Sequence, residues 1–323
     1  LLAGITYDLR TDYLDRSFTE EELAEFDRPD TIQSIEEALN RIGYETDRIG
    51  NLRSLVRHLE SGRRWDFIFN IAEGFYGFGR ESAVPAILES YRIPYTFSDP
   101  MTMGLTLHKG MAKHVMRSLG IPTPDFLVVH VLDDLKRFNL PFPVFAKPVA
   151  EGTSKGIDRG SRITGMPQLE ERCDSLLRRY RQPVLVESYL PGREFTVGLV
   201  QNGCAGPDTL ITEIDYLIPD HDRIYCFETK ENCEQIVEYL PVNDPTADRC
   251  MDLALETWQG FGLRDAARVD IRLDTEGNPS VLEVNPLPGL HPEHSDLPIM
   301  WSREGLPYIE LISRITRSCL SRN

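Results

Sequence analysis

Apolar residues recur along this chain in two rhythms, and the rhythm changes from segment to segment. Leu1 to Tyr7 is a short apolar run that predicts a buried strand, and Trp65 to Ile71 and Ile93 to Phe97 read the same way. Between them, Ile32, Ile35, Ala38, Leu39 and Ile42 fall at helical spacing, and 83–91 predicts a second helix. The first hundred residues therefore read β-α-β-α-β, the order of a parallel sheet flanked by helices. Ser98-Asp99-Pro100 interrupts this pattern. One long helix is expected over 101–119, stopped by Gly120 with Pro122 and Pro124 beyond it. Strands are expected at 144–148 and 184–190, separated by a polar helix at 166–180. From Arg193 onward strands dominate, apart from helices near 245–261 and 307–320.

Length and charge narrow the class. The chain has 323 residues, enough for two or three domains. It carries 35 basic and 51 acidic residues, a net charge of −16, which repels phosphate backbones and argues against nucleic-acid binding. The six cysteines include no C-x-x-C pair, so free thiols in a reducing compartment are expected. No apolar stretch is long enough to span a bilayer, and a cytoplasmic location without a membrane partner is expected.

The chemistry gathers late in the chain. Ala266 to Leu273 and Ser280 to Asn285 read as two strands of a hairpin. Side chains alternate faces along a strand, so Arg268, Asp270 and Arg272 share one face, as do Glu283 and Asn285. Pairing symmetric about Glu276-Gly277 sets Asp270 opposite Glu283, and opposed like charges are destabilising. Two carboxylates and an amide oxygen are hard ligands suited to Mg²⁺ shared with a phosphate; the alternative is a solvated hairpin face. The segment Glu151-Gly152-Thr153-Ser154-Lys155-Gly156 could point backbone N–H groups at an anion or form an ordinary turn, and it lacks P-loop spacing. Lys147, in an apolar strand, needs an anionic partner. Lys109 is either a second cation for the same place or a solvated helix residue. Glu187 and Glu194 are either strand-end acids or acceptors for an adenine amino group and a ribose.

Taken in order, Lys109, Lys147 with its glycine loop, Glu187 and Glu194, Arg268 and Asp270, and Glu283 and Asn285 resemble the ATP-grasp superfamily. Within it the chain is similar to the D-alanine–D-alanine ligases over about residues 65–315. The most specific pieces are FPVFAKP with EGTSKG, GREFTV, ARVDIRLD, and LEVNPLPGL followed by HSDLP. The resemblance implies an α/β protein, α+β in its C-terminal part: an ATP-grasp fold behind an N-terminal parallel-sheet domain. The expected divisions are 1–105, 106–190 with the glycine loop, and 191–323 with the metal site. It implies that Lys109 and Lys147 hold ATP phosphates, that Glu187, Tyr189 and Leu190 line the adenine, and that Glu194 binds ribose. Asp270, Glu283 and Asn285 would ligate two Mg²⁺ ions, with Mn²⁺ as a substitute. Arg268, Ser154 and Lys230 would serve the reaction, and Gly289, Ser295 and Glu231 the acceptor amino acid. The implied reaction joins two amino acids through an acyl phosphate, and the implied assembly is a homodimer through the N-terminal domain.

Three departures touch the substrates. The family's N-terminal glycine-rich strand end, followed by a glutamate that grips the first amino group, is missing; Glu25 or Asp27 would have to substitute. The family's histidine-glycine pair is replaced by Glu73-Gly74, and Glu231 stands where a tyrosine is typical. The competing readings are a dipeptide ligase outside cell-wall synthesis, an ATP sensor and an ATP-grasp kinase.

Overall fold

The computed structural model describes residues 1–11, 13, 19, 21, 23, 25–216 and 237–322. The N-terminal sheet is parallel, with β1 (Leu2–Thr6) between β2 (Glu45–Gly50) and β3 (Phe67–Asn70). Helix α1 (Pro29–Arg41) opens with Pro at its start and buries Thr31, Ile32, Ile35, Ala38 and Leu39, the stripe its spacing predicts. Helices α2 (Leu52–Glu60) and α3 (Ala83–Tyr91) complete the layer.

Two expectations fail here. Strand β2 went unrecognised because its sequence, ETDRIG, is polar at an edge and only Ile49 is buried. Residues 93–97 form no third strand, only a parallel bridge between Tyr95 and Ile68. Pro94 has no N–H to give a ladder, and Phe97 turns the chain away at φ +72°. Its apolar run reflects burial instead, since Ile93, Tyr95 and Phe97 lie in the core.

The single helix expected over 101–119 is two. α4 (Pro100–Leu107), capped by Asp99, stops at His108, whose ψ of 87° is not helical, and α5 (Lys109–Leu119) starts anew. Lys109 therefore stands at a helix N-terminus, and its N–H donates to the Val149 carbonyl at 2.9 Å. The central sheet is antiparallel in the order β4-β7-β5-β6. Its strands are β4 (Phe126–Val129), β5 (Val144–Pro148), β6 (Arg162–Ile163) and β7 (Val184–Ser188), with α6 (Met166–Tyr180) packed on it. β7 ends two residues earlier than expected, which leaves Tyr189 and Leu190 off the ladder.

The C-terminal sheet is antiparallel, in the order β10-β9-β8-β11-β12. It comprises β8 (Glu194–Gln201), β9 (Pro207–Tyr216), β10 (Val237–Pro241), β11 (Ala266–Leu273) and β12 (Pro279–Asn285). α7 (Pro245–Phe261) covers one face, while α8 (Asp296–Arg303) and α9 (Tyr308–Ser321) reach back to the N-terminal layer. Ala3, Ile5 and Ile35 share one core with Trp301, Leu311 and Ile315. Asp265 pins the same junction: it accepts from Phe97 N and Ser318 Oγ, both at 2.6 Å. The first and last parts of the chain are thereby packed as one body beside the central sheet.

Candidate active site

A cavity of about 560 Å³ opens between the three sheets. Lys109, Lys147, Ser154, Glu187, Tyr189 and Leu190 line it from the central part, and Glu194, Arg268, Asp270, Glu283, Asn285, Gly289 and Ser295 from the C-terminal part. Lys230 and Glu231 lie outside the described residues.

Helix α5 buries Lys109, Ala112, Lys113 and Met116 together, so two lysines occupy positions an amphipathic helix reserves for apolar side chains. Each has a counter-charge. Lys109 Nζ lies 3.0 Å from Glu283 and donates to the Glu151 carbonyl at 2.5 Å. Lys113, fully buried, meets Glu187 at 2.7 Å and donates to Thr123 Oγ1 at 2.8 Å. The other Glu187 oxygen is 2.7 Å from Lys147, the anionic partner that lysine required. Burial favours a neutral Glu187, but Lys113 and Lys147 outweigh it and bring the carboxyl down to about 2. For Lys113 burial wins over Glu187 and lowers the ammonium to about 8. The solvated alternative for Lys109 does not hold, because that side chain is buried.

The hairpin brings Asp270 opposite Glu283 and Arg268 opposite Asn285. A bulge in β12 achieves this, because between Asp270 and Ile271 the register shifts by one residue at Leu282. The repulsion expected between the two acids is offset by the protein itself. Arg268 donates to both Asp270 oxygens, Nε at 3.0 Å and Nη2 at 2.9 Å, and Nη1 reaches Asp296 at 2.5 Å. Thr196 Oγ1 donates to Asp270 at 2.7 Å, and Lys109 holds Glu283. Asn285 turns its NH₂ to Asp270 at 3.2 Å, which leaves its oxygen as an acceptor. No cluster of three or more His, Cys, Asp or Glu suited to a metal occurs among the described residues. An ion here would take hard oxygens from Asp270, Glu283 and Asn285 and need the rest from a ligand, the arrangement Mg²⁺ favours with phosphates.

The glycine loop is bent sharply, with Thr153 and Ser154 both at positive φ, 51° and 57°. At Gly152 a Cβ would stand 2.7 Å from a Glu25 oxygen, so glycine is what lets the N-terminal segment close on the loop. Glu25 accepts from Gly152 N at 2.6 Å and pairs with Arg80 at 3.1 Å and Lys155 at 3.3 Å. Glu21 accepts from Gly156 N at 3.2 Å and from Tyr180 Oη at 2.7 Å. Glu25 is thus a carboxylate already compensated. Beside it, Glu73 and Glu81 also face the cavity with no hydrogen bond or ion pair among the described residues. Burial, with Glu25 adding to it against the pull of Arg80, raises Glu81 to about 7. Burial and the charges of Glu81 and Glu25 raise Glu73 well above the carboxylate range. Asp27, raised by burial and then by Asp8 to about 8, lines the same end.

Sequence reasoning missed Lys113, the tie of Asp296 to Arg268, and the pairing of Glu25 with Arg80 and Lys155. Lys113 carried a signal, since it follows Lys109 by one helical turn. Asp296 adjoins Ser295 but gives no hint of its tie to Arg268. The third group joins residues 55 and more positions apart, and no local pattern marks it.

The family model described as D-ala D-ala ligase C-terminus matches residues 115–317. A D-alanine–D-alanine ligase of Hydrogenovibrio crunogenus is 30% identical over 296 residues, 90% of this chain and 90% of that protein. A putative D-alanine–D-lactate ligase of Streptomyces coelicolor is 32% identical over 265 residues, 79% of this chain and 74% of that one. Crystal structures of a Bacillus anthracis D-alanine–D-alanine ligase, one of them complexed with ATP, superpose with TM-scores of 0.76 and 0.75. Each covers 99% of this chain and 98% of its own, at 22% identity, a likeness of fold.

Proposed function

The chain belongs to the D-alanine–D-alanine ligase family, and on that premise we propose that it joins an amino-acid carboxylate to an amine at the expense of ATP. It is an ATP-dependent ligase acting on small molecules, and its fold is the ATP-grasp fold. Lys109, Lys147, Arg268 and a magnesium ion on Asp270, Glu283 and Asn285 are proposed to carry the reaction. The observation that carries this reading is the convergence of Lys109, Lys147 and Arg268 with Asp270, Glu283 and Asn285 on one cavity.

In the first step a carboxylate oxygen bonds to the γ-phosphorus and the bond to ADP breaks. In the second an amine attacks the carbonyl carbon, phosphate leaves and the amine gives up a proton. Both steps crowd negative charge, so the site's work is electrostatic. Lys109 and Lys147, held by Glu283 and Glu187, would turn to the phosphates. Arg268, held in the plane of Asp270 and Asp296, would face the acyl phosphate. Magnesium, when bound at Asp270, Glu283 and Asn285, supplies further positive charge to the phosphate oxygens. Tyr189 and Leu190, off the ladder, would flank the adenine. Glu187 supports the nucleotide through Lys147, its oxygens being committed to lysines. Glu194, 3.1 Å from Arg272, would take the ribose, Ser154 would position substrate from the glycine loop, and Gly289 and Ser295 would meet the acceptor. The same reading keeps the 1–105, 106–190 and 191–323 divisions, a homodimer and a cytoplasmic location as proposals; no described helix is long and apolar enough to cross a membrane.

The test is phosphate release from ATP with a panel of D- and L-amino acids, with product masses recorded. An amide product supports the reading. Phosphate release without an amide points to an uncoupled ATPase or to a kinase whose acyl phosphate then hydrolyses, and nucleotide binding without turnover points to a sensor.

A further inference from the structure

Resting on the ligase reading above, we infer that Glu73 and Glu81 form a subsite for a cationic side chain of the first amino acid. The chain would thus take an ammonium- or guanidinium-bearing amino acid in preference to alanine. Glu73 follows the C-terminal end of β3, where parallel sheets bind ligands, and Glu81 stands two residues before α3. Both line the cavity, and Glu81 is only 8% exposed.

Among the described residues, Arg80, Lys155 and Lys109 each pair with other acceptors, although Arg80 keeps a buried Nε without a hydrogen-bond partner and Arg10 and Arg28 also line the cavity. Arg80 gives Nη2 to Glu25 at 3.1 Å and Nη1 to the Ala150 carbonyl at 2.9 Å. Lys155 divides between Glu25 and Glu151, and Lys109 between Glu283 and the Glu151 carbonyl. Glu73 and Glu81 are left without a hydrogen bond or ion pair among the described residues. Carboxylates in that condition, Glu81 buried and Glu73 half-buried, either bind a cation or hold a proton.

The groups facing the pair are Glu25, Asp27, Arg80, Lys109 and Glu283, and the acids among them push toward protonation. An α-ammonium alone balances one of the two carboxylates. A second positive charge on the same molecule balances the other and displaces its proton. Alanine has no such charge, so it leaves the proton in place.

The experiment is calorimetric binding of lysine, arginine and alanine to the full chain with magnesium and a non-hydrolysable ATP analogue, in buffers of different ionisation enthalpy at pH 7. Phosphate release with ATP is measured in parallel. Lysine or arginine is expected to bind at least tenfold more tightly than alanine, releasing about one proton. Glu73→Gln and Glu81→Gln are expected to bring the preference within threefold and abolish the proton release. Binding of the ATP analogue and the thermal midpoint of each variant report its folding. Equal or tighter alanine binding overturns the inference, as does a preference for basic amino acids that survives both substitutions. Turnover with alanine but not with basic amino acids overturns it while leaving the ligase reading intact. Tight lysine binding without phosphate release for any amino acid sinks the ligase reading and leaves the subsite standing.

Discussion

Replacing Glu187 with Gln removes the carboxylate that pairs with two buried lysines. Lys113 has no solvent exposure and Lys147 about 6%, and each lies 2.7 Å from a Glu187 oxygen. Breaking a buried pair by deleting one partner costs about 3–5 kcal/mol. The upper end has a physical ceiling. Lys113 can fold as a neutral amine instead, and for a group that ordinarily titrates at 10.5, losing the proton costs about 5 kcal/mol at pH 7. Equilibrium denaturation followed by tryptophan fluorescence measures the loss. Lys113→Met is the control: it leaves the Glu187–Lys147 pair whole and removes a desolvated charge, so it should cost no more than about 1 kcal/mol. The acid limb adds a second readout. Glu187 titrates at about 2 in the fold against 4.5 ordinarily, so its contribution is complete above 4.5 and is lost as pH falls through 2. Glu187→Gln should flatten that part of the stability profile. The reasoning is refuted if Glu187→Gln costs under about 1 kcal/mol, or if Lys113→Met costs as much.

Glu283→Gln should lower turnover by on the order of a hundredfold; near-normal activity would remove Glu283 from the metal set. Chelating magnesium should abolish both ATP-analogue binding and phosphate release, with manganese restoring them; metal-independent affinity in a binding assay would refute the proposed metal site. Asp296→Asn frees one arm of Arg268, so kcat should fall by about tenfold or more while the KM for ATP holds; a change confined to the ATP KM would place Arg268 on the nucleotide. Gly156→Ala should cost about 1–3 kcal/mol in a denaturant titration, because its φ is +71° and a Cβ would stand 2.6 Å from Pro148; wild-type stability would show that the loop can move aside.

Much of this protein could be read from residues near one another in sequence. The α1 stripe, the glycine loop after β5, and the face shared by Arg268, Asp270 and Arg272 follow from periodicity, because local backbone geometry decides them. Register across the hairpin was nearly legible too, since a tight turn allows few pairings, although the bulge at Leu282 that adjusts it was not. Polar β2 was hidden because an edge strand need not alternate, and residues 93–97 misled because burial and strand pairing favour the same side chains.

Compensation of charge belonged to the tertiary structure alone. Lys113 on Glu187, Arg268 on Asp296, and Glu25 between Arg80 and Lys155 are contacts between distant segments, and their energies arise only when burial removes water from both partners. The same folding leaves Glu73 and Glu81 without a hydrogen bond or ion pair among the described residues. A sequence shows which residues carry charge; which charges remain uncompensated is settled only when the chain has packed.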